Sequence, residues 1–152
     1  MKIRPHLGWR EWVSLPDLKV SQIKVKIDSG ARTSALHAEE IHYFRRGHKK
    51  MVRFKIFPRQ NNKNKMITAE EELKDQRSVR SSAGHVTERP VIVTTLKIGE
   101  FAHEIELTLV DRDIMGFRML LGRQAMKGRY IIDPSRSFLI GKKKVRKEKN
   151  GK

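Results

Sequence analysis

Period-two alternation of apolar residues, repeated through most of the chain, is the feature that most narrows the possible folds. In "SQIKVKIDSG" the apolar positions are Ile23, Val25 and Ile27; in "MVRFKIF" they are Val52, Phe54 and Ile56. "PVIVTTLKIG" and "HEIELTLVD" continue the pattern, the second placing Ile105, Leu107 and Leu109 on one face. Alternation rich in β-branched residues, bounded by turn signals, describes strands with one face buried. "KIGEF" predicts a hairpin turn, and "YIID" and "SFLIG" predict short closing strands around Asp133-Pro134-Ser135. "GRQAMKG", residues 122–128, predicts one short helix, while "HAEEIHYF" fits either state. Residues 58–65 read as a polar loop led by Pro58, and residues 70–90 as a charged segment turning at Ser82-Ala83-Gly84. The class is all-β, with strands spaced for a closed or nearly closed barrel.

A chain of 152 residues holds one domain. That domain is expected over 1–140, followed by a basic, disordered tail over 141–152, where too few apolar groups exist to bury. Lys and Arg number 34 against 17 Asp and Glu. The tail holds seven of these cations and one Glu, so the body still carries eleven excess positive charges. Such a field attracts polyanions such as nucleic acid, ribosomes or acidic proteins; for the tail, simple solubility explains the charge equally well. With no cysteine, disulfides, thiolate catalysis and Cys-ligated zinc are excluded. No apolar run approaches the roughly 18 residues of a membrane span. The start lacks the apolar core of a signal peptide, which runs about 7–15 residues. A cytoplasmic protein without a membrane partner is therefore expected.

One apolar strand delivers Asp28-Ser29-Gly30 at its end. The triplet is good turn chemistry. It also supplies half of a carboxylate-based hydrolytic site. Two carboxyls that flank one water cannot both ionise at about 3 Å, so they share a proton and offer a base and an acid together. The base takes a proton from water and the acid protonates the substrate. A neighbouring hydroxyl can tie the loops together, and a glycine lets chains approach. Further along come "RMLLGRQAM" and, before it, a hairpin with a small tip suited to a flap.

With these residues in view, the chain resembles the retropepsin-like aspartic endopeptidases. It is similar to a bacterial family carrying "GWREWVxLPxL", "IDTGARTSALHA", an "RSS.G...ERP" hairpin and "LLGR". Here these read "GWREWVSLPDL" (8–18), "IDSGARTSALHA" (27–38), "RSSAGHVTERP" (80–90) and "MLLGR" (119–123). The resemblance spans about residues 6–141. It implies a closed barrel with a flap hairpin and one short helix. Asp28 would be the catalytic carboxylate, Ser29 would bond across to the other half-site, Gly30 would line the substrate backbone, and Ala31 would support the active site. Leu120, Leu121, Gly122 and Arg123 would support the Asp28 loop, and the flap tip would fall at Ser81, Ser82, Ala83, Gly84 and His85. The chain has no second Asp-Ser/Thr-Gly, so a C2 homodimer is expected, with Asp28 of each subunit meeting at the axis. The substrate would be a protein, within a ribosomal-protein glutamylation system, because related domains stand beside ATP-grasp glutamate ligases.

One position departs from the viral pattern. Viral retropepsins place an Asp two residues past the Gly, where it receives the Arg of Gly-Arg. Here the matching residue is Arg32, opposite a retained Arg123, so that ion pair cannot form. Arg32 is expected instead to receive acidic substrate side chains.

The family also carries the label ATP-dependent zinc protease. A zincin helix needs H-E-x-x-H, and "HEIEL" at 103–107 has Leu107 in place of the second His. His37, His42 and His48 match no ligand spacing, each reading as a surface or capping residue, and no P-loop is present. No metal or cofactor is expected. The alternative function is a non-catalytic basic β-domain that binds the ribosome or RNA, or regulates a ligase. In it Trp9, Trp12, Tyr43 and Phe44 would stack on bases, with Arg45, Arg46, Lys49 and Lys50 on phosphates. A serine hydrolase built on Ser29, Ser34 and His37 is excluded, since no G-x-S-x-G elbow exists.

Overall fold

The computed structural model describes residues 3–59, 65–80, 83–111 and 116–143. The strands are β1 (His6–Leu7), β2 (Arg10–Leu15), β3 (Val20–Ile27), β4 (Ser34–Arg46), β5 (Lys49–Ile56) and β6 (Ile67–Glu72). They continue with β7 (Asp75–Arg80), β8 (Val86–Ile98), β9 (Phe101–Val110), β10 (Met119–Leu121) and β11 (Ile131–Ile132). One helix, α1 (Arg123–Met126), lies between the last two. The segment that fitted either state is the middle of β4.

Six strands close on themselves in the order β10-β3-β2-β8-β9-β4, with β4 returning to β10. The seam is β10: Met119 pairs with Val25 on one side and Leu36 on the other, and Leu120 with Lys26 and Ala35. Closure satisfies backbone groups that an open sheet would leave exposed at its edges. The expected closed barrel is therefore present. Period two decides what faces inward. Val13 and Leu15 of β2, Ile23, Val25 and Ile27 of β3, and Leu107 and Leu109 of β9 are buried in one cluster with Leu36, Leu96, Met119 and Leu121. Beyond the ring, the second half of β4 leaves to pair with β5, and β6 continues that wing. Val52, Phe54 and Ile56 join the same core from there. The first half of β8 leaves the ring to pair with β7, which makes the expected flap hairpin.

The segment 137–141 differs from expectation. "SFLIG" forms no strand, because three consecutive backbone donors, those of Leu139, Ile140 and Gly141, go to a side chain. Glu11 is fully buried, and its carboxylate accepts from Gly8 N–H (2.6 Å), Leu139 N–H (2.9 Å), Ile140 N–H (3.1 Å) and Gly141 N–H (2.7 Å). Backbone bonds run alongside, from Trp9 N–H to Arg136 O, Phe138 N–H to Arg10 O and Trp12 N–H to Gly141 O. Gly141, the first residue of the expected tail, is buried; residues 144–152 of that tail lie outside the described residues. The aromatics of "GWREW" belong to this clamp. Trp12 stacks on Phe138, Trp9 meets Phe117 edge-on, and the Arg10 guanidinium lies over both Trp9 and Phe138. Trp9 and Trp12 are thus engaged within the fold rather than held out for bases.

Candidate active site

Asp28 follows directly from the last residue of β3, and its position is set by the strand emerging from β10. The Asp28 N–H donates to the Leu121 carbonyl at 2.9 Å, extending the parallel β3–β10 ladder by one more bond. Arg123 N–H donates to Ala31 O (2.7 Å) and Gln124 N–H to Arg32 O (3.0 Å). Gly122 N–H donates to the buried Ser34 hydroxyl at 3.0 Å. The Arg123 guanidinium donates to the Ser29 carbonyl at 3.0 Å. Five hydrogen bonds thus staple the 28–34 loop to 121–124, as the pairing of the two motifs implied. Within the loop, Gly30 N–H donates to Asp28 Oδ1 at 2.9 Å and orients the carboxylate, which is half-buried.

Gly122 is where this geometry demands glycine. A Cβ there would stand 2.5 Å from the Thr33 carbonyl carbon, 2.6 Å from its oxygen and 3.0 Å from Ala31 O, all backbone atoms that cannot step aside. Overpacking of this kind costs about 1–3 kcal/mol. At about 2–4 °C per kcal/mol for a chain of this size, Gly122→Ala is expected to lower the melting temperature by roughly 3–10 °C. Differential scanning calorimetry checks this.

The residues singled out by sequence fall as follows. Asp28, Ser29, Gly30, Ala31, Leu121, Gly122 and Arg123 are brought together. Arg32 is exposed in the same loop. Arg123, deprived of an acidic partner by Arg32, spends its charge on a backbone carbonyl instead. Ser29 is exposed, and its carbonyl accepts from the Arg123 guanidinium. Ala83 and Gly84 are exposed at the flap tip, Gly84 with φ of +85°; Ser81 and Ser82 lie outside the described residues. Sequence reasoning missed Ser34 as the hydroxyl that holds Gly122, since nothing local marks a serine whose partner is 88 positions away.

Behind the loop, a recess of about 210 Å3 is lined by Thr33, Ser34, His103, Glu106, Gln124 and Arg129, among others. Burial, and then the Arg129 charge, push His103 below the ordinary imidazole range; its Nε2 shares a hydrogen bond with Tyr130 Oη at 3.1 Å. Burial raises the Tyr130 phenol. His103 and Glu104 are neighbours on strand β9, so they point to opposite faces and do not form a zincin pair.

The fold gathers another acid–histidine group that spacing did not show. His37, Glu39 and Asp111 bring one potential ligand atom each within 4.8 Å of one another. His37 is not a surface residue: it is buried, because β4 carries it between β9 and the Arg118 backbone. Its Nε2 already bonds Glu39 at 2.8 Å, and its Nδ1 is buried without a partner. A zinc-bound imidazole instead fixes its second nitrogen against an oxygen. The group does not fit a zinc site. His37 lies three residues beyond Ser34 on β4, about 10 Å of strand.

The sequence holds no second Asp-Ser/Thr-Gly. Among the described residues, Asp17 accepts from Thr95 N–H, Asp75 pairs with Arg77, and Asp133 accepts from Ser135 N–H and Oγ.

The family profile described as "Retropepsin-like aspartic endopeptidase RimB" matches residues 6–143. The chain belongs to the RimB-like family. Its match runs from the strand before "GWREW" through the Glu11 clamp, so the family unit is the whole described barrel. Curated relatives are named differently. A "Probable alpha-L-glutamate ligase" of Shewanella halifaxensis is 44% identical over 135 residues, 89% of this chain and 30% of that protein. One of the same name from Parasynechococcus marenigrum is 45% identical, covering 89% of this chain and 29% of that protein. The RimB-like chain thus spans about three tenths of the length of these relatives. Among solved structures, the Legionella pneumophila protein Lpg0085, titled as of unknown function, aligns with a TM-score of 0.74 at 24% identity, over 90% of this chain and 98% of that one. That likeness shows the shared fold. No helix among the described residues is long and apolar enough to cross a membrane.

Proposed function

We propose that this RimB-like chain is an aspartic endopeptidase whose active site forms when two copies pair about a twofold axis. The observation that carries this reading is the Asp28 loop itself, stapled by five hydrogen bonds to the Leu121–Gln124 segment at the end of a closed barrel. One carboxylate cannot be both base and acid. A second Asp28 across a C2 axis supplies the partner without a second motif in the chain. The two carboxyls then share a proton and hold a water: one takes a proton from it while the other protonates the carbonyl oxygen, and as the C–N bond breaks the first passes its proton to the leaving amine and the second takes one back from the diol hydroxyl. The β7–β8 hairpin would close over the bound peptide and exclude bulk water.

The substrate reading rests on two supports. Relatives named as glutamate ligases match this chain over about three tenths of their length, which supports a role beside an enzyme that handles glutamate. Arg32 is exposed in the Asp28 loop, in a chain whose formal charge is +17. An acidic protein segment, as in a glutamylated ribosomal protein, matches both. Peptide-library cleavage and solution mass, measured on one sample, test the proposal. The expected result is a dimer of 17.7 kDa chains that hydrolyses acidic peptides. Arg32→Glu is expected to lower cleavage of acidic peptides at least tenfold more than cleavage of neutral ones. Equal loss on both would remove Arg32 from recognition.

A further inference from the structure

Beyond the barrel, β4 and β5 run on as a two-stranded ribbon. β4 leaves its last barrel partners at His37, and from Ala38 to Arg46 it pairs with β5 alone among the described residues. β6 supports β5 no further than the Met51–Glu72 pair. The last two rungs, Arg45–Lys50 and Arg46–Lys49, therefore project past it. The Arg45 rung stands eleven residues along β4 from Ser34, ~36 Å of strand, so this tip is remote from the Asp28 loop.

Both of those rungs set cation opposite cation, an arrangement that destabilises a ladder. The two faces of the ribbon treat it differently. On one, Arg46 donates to Glu70 at 2.7 Å and lies over the Phe44 ring, 5.5 Å from its centroid. On the other, Arg45 and Lys50 make no ion pair among the described residues. The residue bonded beside Lys50 is Leu73, and register places Glu71 two strands from Tyr43, about 10 Å. Tyr43 shares the face of Arg45 and Lys50, one ladder step of about 7 Å before them. It is 48% exposed, and no ring or cation covers it among the described residues. These three side chains, with Leu73 and Gln76, line a shallow recess of about 270 Å3. A free ring face one step from two cations that lack acidic partners matches a nucleotide, with the base on the ring and the phosphates at the cations. An acidic peptide supplies charge but no flat ring. A base inside a duplex is stacked on its neighbours and cannot meet Tyr43, so the matching ligand is a single strand.

We propose that the tip of the β4–β5 ribbon is a binding surface for single-stranded nucleic acid, with Tyr43 stacking on a base and Arg45 and Lys50 meeting the adjoining phosphates. The bound strand supplies the anions that the Arg45–Lys50 rung lacks within the chain. This surface does not depend on the proposed hydrolysis at Asp28.

Fluorescence anisotropy of the full chain with a labelled oligouridine of about 12 nucleotides, within the usual length range of a single-strand site, tests this. Saturable binding is expected, weakening as salt rises. Arg45→Gln/Lys50→Gln should weaken it about tenfold or more and lower the salt slope by about 1.4, the share of two phosphate contacts on a single strand. The same variant should melt no lower than wild type, because the repulsion across its rung is relieved. Tyr43→Ala should weaken binding about fivefold or more with the salt slope unchanged, and Tyr43→Phe should stay within about twofold of wild type, since only the ring is used. Lys97→Gln/Lys127→Gln removes the same charge at two exposed positions outside the ribbon. It should bind within about twofold of wild type at physiological salt, where screening acts over about 8 Å. Oligothymidine binding as tightly as oligouridine, to within about threefold, or more tightly, identifies single strands in general as the ligand; oligouridine binding tighter than that margin identifies RNA as its source. Absence of saturable binding, equally tight binding of a duplex, equal loss in the Lys97/Lys127 variant, unchanged affinity in Tyr43→Ala, or displacement by hexaglutamate at equal charge concentration would each overturn the proposal.

Discussion

Asp28→Asn is expected to abolish peptide hydrolysis while leaving the fold intact. Asparagine has nearly the same shape, and its Oδ1 can keep the hydrogen bond from Gly30 N–H. The backbone staples, from Asp28 N–H to Leu121 O and from Arg123 N–H to Ala31 O, do not involve the altered atoms. What disappears is the titratable oxygen. In a twofold dimer one substitution removes both members of the pair, so neither base nor acid remains. General acid–base catalysis contributes about 10²–10⁴-fold, and a loss of at least that size is expected in the cleavage rate. The melting temperature should change by no more than about 2 °C, since a near-isosteric surface change is worth under about 0.5 kcal/mol. Cleavage and calorimetry on the same preparation separate the two effects. Undiminished hydrolysis by the asparagine variant would refute the carboxylate mechanism.

The largest expected effect on stability is at Glu11. Its two oxygens satisfy four backbone N–H groups that have no strand partner. Glu11→Gln replaces one acceptor oxygen with a donor, which then faces donors. Each buried N–H left unmet costs about 1–3 kcal/mol, and breaking a buried charged arrangement costs about 3–5 kcal/mol in total. At about 2–4 °C per kcal/mol, the melting temperature should fall by roughly 10 °C. Residues 136–141, held alongside β2 by the same arrangement, should become the first site of limited proteolysis. A melting temperature within 2 °C of wild type would show that these donors find other acceptors.

Glu11 also shows where the sequence could have been read further. It shares inward parity with Val13 and Leu15, so a charge stands where the period-two rule places an apolar side chain. Such a violation signals a buried structural carboxylate, and it explains why "SFLIG", read as a strand by composition, is not one. Strands β3, β5, β8 and β9 were legible because their apolar residues alternate over much of their length, even where both faces are covered, as at Leu107–Val110 of β9. β10 carries no such signature. All three of its residues are buried, so alternation could not pick out the strand that closes the ring, although strand spacing pointed to a closed or nearly closed barrel. At the site, Asp28-Ser29-Gly30 was legible because its logic is local. The Ser34–Gly122 bond and the His37–Glu39–Asp111 grouping depend on register between distant segments, which a single sequence does not display.

The seam of the barrel gives the proposed enzyme a built-in safeguard. The three residues that lock the cylinder run straight into the atoms that hold the Asp28 amide, so the wall cannot open without releasing its reactive group. A half-folded chain emerging in a crowded cell would therefore carry a slack, harmless acid, and cutting power would arrive only with the finished architecture.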